Sequence, residues 1–237
     1  MNAFNRYAAI FGFALVSAQA NAVDFSFTSG TVSSATVGNS YSSTVGGVTL
    51  TASAWSSTAW SRTARAWQFE SSTLTVALNG MGVCNSGESN CTTNIFENAL
   101  GNKSANDLIL VTFSQAVNLQ SLSLQQPGKD SDLSLWAGTG AFSPAGLKAS
   151  QLGTATPYSN TISAAGIRTV SLTTFTGSYD WLAIAASVTN LDKTDYARLK
   201  SLTVNPVTQP VPDAATWMTM LAGLGLVGFR VSRRMQT

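Results

Sequence analysis

The sequence predicts an all-β protein, a single β-sandwich of the jelly-roll type, with an N-terminal signal peptide and a C-terminal transmembrane helix. The composition indicates this class, because 44% of the residues are apolar and only 10% are charged, while Ser, Thr and Gly are frequent. Short apolar runs recur between turn signals, and the body of the chain has no stretch with a helical period. The apolar share is enough to fill a core, which argues against disorder.

Residues 1–22 have the three parts of a secretory signal peptide. A positive charge at Arg6 precedes an apolar stretch, and small residues follow at Ala20 and Ala22. The apolar stretch is about ten residues long, which is too short to cross a membrane that needs about 20. We therefore predict export and a mature chain that begins at Val23.

Residues 23–205 are predicted to form the β-sandwich domain. Nine segments have the alternating or continuous apolar pattern of strands. The run from Leu108 to Phe113 is continuous, which predicts a central strand that is buried on both faces. The nine segments are VDFSF, VTLTASAW, LTVAL, DLILVTF, VNLQSLSL, DLSLWAG, IRTVSLTTF, WLAIAASV and RLKSLTV.

Cys84 and Cys91 are the only two cysteines, and they lie seven positions apart. An exported chain meets an oxidising compartment, so we expect a disulfide that closes the loop CNSGESNC. A usual zinc site needs four ligands, which two cysteines cannot supply in a chain without histidine.

The carboxyl end divides into three parts. Residues 206–213 contain three prolines and predict an extended linker, because proline interrupts both helices and central strands. Residues 214–231 predict a transmembrane helix, because the chain is mostly apolar from Ala214 to Phe229, and residues 232–237 form a basic cytoplasmic tail. Arg230, Arg233 and Arg234 are expected to act as a membrane stop, because positive charges stay on the cytoplasmic side.

This tail resembles the PEP-CTERM sorting signal of Gram-negative bacteria. The resemblance rests on the helix motif LAGLGLVGF, on the basic cluster RVSRR, and on a motif formed by Val211, Pro212, Asp213 and Ala214. The family has Val-Pro-Glu-Pro at that motif, so Asp213 and Ala214 depart from it. The resemblance implies processing by an exosortase-type enzyme at the inner membrane, after cleavage by signal peptidase.

A second segment, from Gly80 to Gly138, resembles the core of exosortase-dependent surface proteins. Those proteins have a Gly-x-Gly-Val turn, an acidic residue followed by Asn, an Asp before an apolar strand, and an Asp-Ser-Asp turn. The matching positions here are Gly80, Gly82, Val83, Glu97, Asn98, Asp107, Asp130 and Asp132. The resemblance implies a location at the cell surface.

Most catalytic arrangements are excluded. The chain has no histidine, which removes Ser-His-Asp and Cys-His nucleophiles, and it has no Gly-x-Ser-x-Gly elbow. A carboxylate pair remains, so a secreted polysaccharide hydrolase is the alternative to a non-enzymatic protein. The candidate carboxylates are Glu97, Asp107, Asp130, Asp132 and Asp180. Nucleic acid is not an expected partner, because residues 23–211 carry nine basic and ten acidic side chains.

Calcium is the candidate cofactor. Hard cations take six to eight oxygen ligands, often from loops, and calcium is abundant outside cells. The candidate ligands are Glu97, Asn98, Asp107, Asp130 and Asp132, all at predicted strand ends or loops. The alternative is that they are turn residues, since Asp and Asn bond to their own backbones.

Three tryptophans form the candidate ligand-binding site. Trp55, Trp60 and Trp67 lie in one short stretch with Arg62 and Arg65 between them. Exposed aromatic rings can stack on sugars, whereas an aromatic and arginine cluster can equally close a sandwich core.

We therefore expect an exported, non-enzymatic protein of the cell surface or extracellular matrix, with a carbohydrate-binding or adhesive role. Its expected partners are signal peptidase, the exosortase-type enzyme, the inner membrane before processing, and exopolysaccharide.

Overall fold

Within the part of the chain that the computed structural model describes, fourteen antiparallel β-strands form one connected sheet. The structure describes residues 21–28, 35–63, 65–88, 99–102, 105–126, 130–159, 165–189, 195–207, 218–219 and 222–223. The predicted all-β class is confirmed. The strands are β1 (Val23–Ser26), β2 (Ala35–Gly38), β3 (Ser40–Val45), β4 (Val48–Ser61), β5 (Ala66–Ser71), β6 (Thr73–Ala77), β7 (Gly80–Cys84), β8 (Leu100–Gly101), β9 (Asp107–Gln126), β10 (Leu133–Gly138), β11 (Thr156–Tyr158), β12 (Gly166–Ser171), β13 (Tyr179–Ala186) and β14 (Tyr196–Pro206).

Each of the nine predicted segments overlaps an observed strand. Two of them, residues 107–113 and 117–124, join into the single strand β9. The unpredicted strands β2, β3, β5, β7, β8 and β11 are short, with at most six residues each. For example, β3 reads SYSSTV and is mostly exposed.

Strand β9 connects the two halves of the sheet. Its first half pairs with β4 on one edge and β13 on the other. Its second half pairs with β14 and β12. Because β9 pairs with both groups of strands, the described residues form one connected sheet, and the predicted jelly-roll-like sandwich is not confirmed.

The buried apolar residues that the structure describes form two core clusters, and β9 contributes to both. Residues 108–111 are all buried, as predicted for a central strand. Ile109 and Val111 belong to the larger cluster, whereas Leu108 and Leu110 belong to the smaller one. Side chains of successive strand residues point to opposite faces, so both faces of β9 are covered. The smaller cluster also contains Phe69, Trp136, Leu152, Trp181, Ala183 and Ala185.

A long connection covers the smaller cluster. Residues 139–155 place Phe142 and Leu147 against it. The backbone of this connection bonds to β5, because Phe69 N donates to Leu147 O at 2.8 Å and Gly146 N donates to Phe69 O at 2.9 Å. Phe142 stacks on Trp181 with ring centroids 4.2 Å apart.

Arg198 ties β14 to the turn between β6 and β7. Its side chain is 1% exposed. The guanidinium donates to Gly80 O from Nε at 3.1 Å and from Nη2 at 2.6 Å, and to Thr75 O at 3.3 Å. Burial lowers the pKa of Arg198 to about 10, so the group remains charged at neutral pH. Charged donors strengthen these hydrogen bonds.

The predicted targeting segments lie mainly outside the described residues. This holds for residues 1–20, for the sorting motif at 211–214, and for Arg230, Arg233 and Arg234. Strand β1 begins at Val23, the predicted first residue of the mature chain. In the segment predicted to cross the membrane, residues 218–219 and 222–223 are helical. Among the described residues, no helix combines the length and the hydrophobicity that a membrane crossing requires.

Replacing Gly80 by Ala should destabilise the protein strongly. Gly80 has φ +112°, and an added Cβ would lie 2.5 Å from Leu199 O. The backbone strain alone costs about 1 to 3 kcal/mol, and the contact with β14 adds to it. Urea unfolding measures the loss. Gly153→Ala is the control, because Gly153 has φ +92° with nothing within 4 Å of an added Cβ. Equal losses in the two variants would contradict the role of the β14 contact.

Candidate functional site

Three carboxylates from two loops lie together at the starts of β10 and β14. One carboxylate oxygen each from Asp130, Asp132 and Asp195 lies within 4.8 Å of the others. Asp195 is fully buried, and Asp132 is 9% exposed. Asp130 and Asp132 precede β10, and Asp195 directly precedes β14.

Backbone hydrogen bonds hold these loops in register. Ser187 N, just after β13, donates to Asp132 O at 2.9 Å, and Tyr196 N donates to Asp130 O at 2.7 Å. Asp132 N donates to Asp195 Oδ1 at 3.1 Å. The segment before β10 and the connection from β13 to β14 are therefore fixed to each other by main-chain contacts as well as by the carboxylates.

Asn102 completes this arrangement from the segment after β8. Its Nδ2 donates to Asp195 Oδ2 at 2.5 Å and to Ser187 O at 3.2 Å, and its Oδ1 accepts from Asp195 N at 3.2 Å. Asn102 is 3% exposed. A buried amide with both ends bonded orients the Asp195 carboxylate.

The predicted calcium ligands are brought together only in part. Asp130 and Asp132 are neighbours, but Asp107 bonds to a different set of groups, and Glu97 and Asn98 lie outside the described residues. Asp195 was missed, although it directly precedes the apolar run of β14 as Asp107 precedes that of β9. Calcium needs six to eight oxygens. Three carboxylates do not identify an ion, and calcium binding stays a prediction.

Asp107 is a buried hydrogen-bond hub. Its side chain is 1% exposed. Ser56 Oγ donates to Oδ1 at 2.6 Å, Asn85 Nδ2 donates to Oδ1 at 3.1 Å, and Gly101 N donates to Oδ2 at 3.2 Å. These donors come from β4, the segment after β7, and β8. Asp107 thus joins three separate parts of the chain to the start of β9.

Burial dominates the electrostatics of this hub. It raises the pKa of Asp107 from 3.8 to about 7, although the hydrogen bonds from Ser56, Asn85 and Gly101 act to lower it. Burial also raises the pKa of Tyr196, and the nearby Glu88 and Asp107 charges add to that shift. The carboxyl of Asp107 therefore favours its neutral form more than an exposed Asp does.

Trp60 and Trp67 form an exposed pair on the β4–β5 hairpin. They are directly opposite each other in the register of the two strands. Their ring centroids are 5.2 Å apart with an interplanar angle of 67°, and their side chains are 52% and 56% exposed. Arg62 and Arg65, in the turn beyond the pair, are exposed as well.

A β-bulge decides which face this pair occupies. The register between β4 and β5 shifts between Ser56 and Ala59, so one extra residue is inserted in β4. An insertion of one residue moves the following side chains to the opposite face. Trp60 thereby lies on the same face as Trp67, which shares its side of β5 with the buried Phe69.

Trp55 does not belong to the exposed pair. It is half-buried and packs against the smaller core cluster. Its Nε1 donates to Ser53 Oγ at 2.9 Å. The prediction that Trp55, Trp60 and Trp67 act as one group is therefore replaced by a core tryptophan and a surface pair. Trp55 lies where β4 still pairs with β9, whereas the pair lies beyond the start of β9.

The remaining predicted residues have separate environments. Asp180 accepts a hydrogen bond from Gly140 N at 2.7 Å, at the start of the connection over the smaller cluster. Cys84 is disulfide-bonded, and its predicted partner, Cys91, lies outside the described residues. Their pairing stays a prediction.

Stability should fall as the pH rises from about 4 to 7. In that range the folded chain retains a proton on Asp107, whose pKa is raised from 3.8 to about 7, and the unfolded chain has lost it. Urea unfolding measured across this range should show a negative slope that Asp107→Asn reduces. Asp24→Asn removes an exposed carboxylate and should keep the slope. An unchanged slope in Asp107→Asn would contradict the assignment.

Calcium should raise the melting temperature, with reversal by a chelator, if the carboxylates of Asp130, Asp132 and Asp195 bind it. A concentration of about 100 times the dissociation constant adds about 2.7 kcal/mol to the free energy of unfolding. Asp130→Asn should abolish the shift, whereas the exposed Asp24→Asn should retain it. If neither calcium nor chelator changes the melting temperature of the wild type, the turn-residue interpretation is favoured.

No protein-family model matches the chain, and no curated protein matches it. Among the described residues, two features stand out: the buried carboxylates at the strand ends, which hold loops together, and the exposed tryptophan pair, which contacts solvent.

Proposed function

We propose that this chain is an exported, non-enzymatic protein that binds carbohydrate through Trp60 and Trp67. The observation that carries the proposal is the exposure of both indole rings, at 52% and 56%, side by side at one end of a hairpin. Burying a large apolar side chain stabilises a protein by roughly 1.5 to 3 kcal/mol. A pair of tryptophans left outside the core forgoes this stabilisation, and contiguous exposed apolar surface is typical of interaction sites.

The position of the pair favours access by an extended ligand. Strand β4 pairs with β9 only as far as Ser56, so the hairpin continues past the start of β9. The pair lies on this projecting part, four residues beyond Ser56. An indole ring has an apolar face and a polar edge, which suits it to the alternating apolar and hydroxyl surfaces of a sugar.

A binding role is preferred to hydrolysis because of the environment of Asp107. Its pKa, raised to about 7, is suited to a general acid. Its carboxyl is nevertheless 1% exposed and bonded to three donors, so it has no route to a glycosidic bond. The tryptophan pair, in contrast, is open to solvent.

We further infer that the two halves of the sheet face each other as a β-sandwich. The larger core cluster supports this, because it combines Leu50 and Ile109 from one half with Leu122 and Leu202 from the other. A rigid double layer would support the projecting hairpin.

The cellular part of the proposal comes from the chain ends. The signal peptide, the sorting motif and the basic tail indicate export, anchoring in the inner membrane, processing by an exosortase-type enzyme, and a final location at the cell surface or in the extracellular matrix. Exopolysaccharide is the carbohydrate that this location offers.

Trp67→Ala should abolish binding to the glycans that the wild-type chain binds. The loss follows from removal of one face of the paired surface. Glycan-array binding followed by calorimetry measures it, with Ile167→Ala as the matched control. Ile167 is also an exposed apolar side chain, 59% exposed, but it lies on β12. Equal binding by wild type and Trp67→Ala, or no glycan bound at all, would refute the proposed function.

Processing should produce a chain that starts at Val23 and lacks its basic tail. Intact-mass analysis of the exported protein measures both ends. Replacing Arg230, Arg233 and Arg234 by Ser should release more full-length chain, because moving each charge across the membrane centre costs about 2.5 to 3.5 kcal/mol. A full-length wild-type chain that stays in the inner membrane would indicate a permanent anchor instead.

A further inference from the structure

The turn of the β4–β5 hairpin places two positive charges beside the tryptophan pair. The last paired residues of the hairpin are Ser61 and Ala66, one residue beyond Trp60 and Trp67. Arg62 and Arg65 follow directly in the turn, and both side chains are exposed. An arginine side chain is long enough to reach a ligand that stacks on the adjacent rings.

Arg65 has a backbone conformation that glycine would adopt at lower cost. Its φ is +48°, and within the described ranges it is the non-glycine residue with a positive φ. Other positive-φ positions, such as Gly46 and Gly47 in the turn between β3 and β4, are glycines. The left-handed region is unfavourable for a residue with a Cβ. An arginine at this position therefore carries a local backbone cost that glycine would avoid.

The nearby carboxylate of Glu70 does not neutralise the positive charges of Arg62 and Arg65 on the face of the indole rings. Glu70 lies three residues from Trp67 on β5, and alternation places it on the opposite face of the strand. Its Oε1 accepts a hydrogen bond from Thr58 Oγ1. The face that carries the indole rings is thus bordered by Arg62 and Arg65 without an acidic neighbour from β5.

We propose that the hairpin binds a glycan that carries carboxylate groups, with the indole rings of Trp60 and Trp67 on the sugar rings and the guanidinium groups of Arg62 and Arg65 on the carboxylates. This inference rests on the proposed function and names its ligand class. The planar guanidinium matches a carboxylate with two parallel hydrogen bonds. In a uronic acid the carboxylate is attached to the sugar ring itself, so stacking and charge pairing can occur together.

A single-stranded nucleic acid offers the same combination of stacking and negative charge. The charge balance favours the glycan, because residues 23–211 carry nine basic and ten acidic side chains, and tight nucleic-acid binding uses extended basic surface. The nucleic acid therefore serves as a competing ligand in the test.

The experiment measures calorimetric binding of the purified full chain to polygalacturonate, to its methyl ester, and to a single-stranded oligothymidylate. The acid and the ester share the same sugar backbone and differ in charge. We expect the wild type to bind the acid more tightly than the ester, and raised salt to weaken only acid binding. Arg62→Gln with Arg65→Gln should weaken acid binding about fivefold or more and leave ester binding unchanged.

Two controls separate charge and folding from the proposed contacts. Arg168→Gln with Lys200→Gln removes two positive charges from β12 and β14 and should leave acid binding unchanged. Arg65→Gly should weaken acid binding without lowering the melting temperature, because glycine accepts the positive φ.

The outcomes distinguish the two proposals. If the wild type binds acid and ester equally, the charge inference is wrong and the carbohydrate-binding function stands. If it binds neither of these nor any other glycan, both are wrong. If the chain binds the oligothymidylate more tightly than the acid at the same salt concentration, the proposed glycan ligand is wrong and nucleic acid is the better candidate.

Discussion

Burial of β9 on both of its faces is the constraint on which the rest of the fold depends. Alternating side chains of its first half enter two different core clusters, so each face needs its own apolar cover. The connection at residues 139–155 supplies that cover on one side through Phe142 and Leu147. Its two edges also need strand partners, which β4 and β13 provide for its first half and β14 and β12 for its second half. The large connected sheet follows from these needs.

The ends of the strands are held by buried carboxylates. Asp107 accepts three hydrogen bonds at the start of β9, and Asp195 accepts from Asn102 and from the backbone of Asp132 at the start of β14. A buried carboxylate is costly unless its oxygens are bonded, and each of these bonds ties another segment to the same point. The acidic residues near the strand ends thus organise the loops of this region. Their arrangement explains why several polar positions, such as Ser56 and Asn85, are buried.

The proposed binding surface lies where this organisation ends. Because β4 is longer than the part of β9 that it pairs with, the β4–β5 hairpin projects beyond the sheet and its tryptophans remain exposed. The base of the hairpin is anchored by Phe69 in the smaller cluster and by backbone bonds to residues 146–147. A firmly attached base with an open tip suits recognition of an extended ligand. The arginines of the turn add charge at the same place.

Composition and apolar alternation were sufficient to predict the all-β class, the position of eight strands and the two-sided burial of residues 108–111. These features depend on neighbours in the chain, because side chains of a strand alternate between its faces. Three features could not be predicted in this way. They are the union of two predicted strands into β9, the proximity of Asp195 to Asp130 and Asp132, and the separation of Trp55 from the exposed pair. Each depends on pairing and register between segments far apart in sequence, and the bulge in β4 shows how one inserted residue changes the face on which a side chain lies.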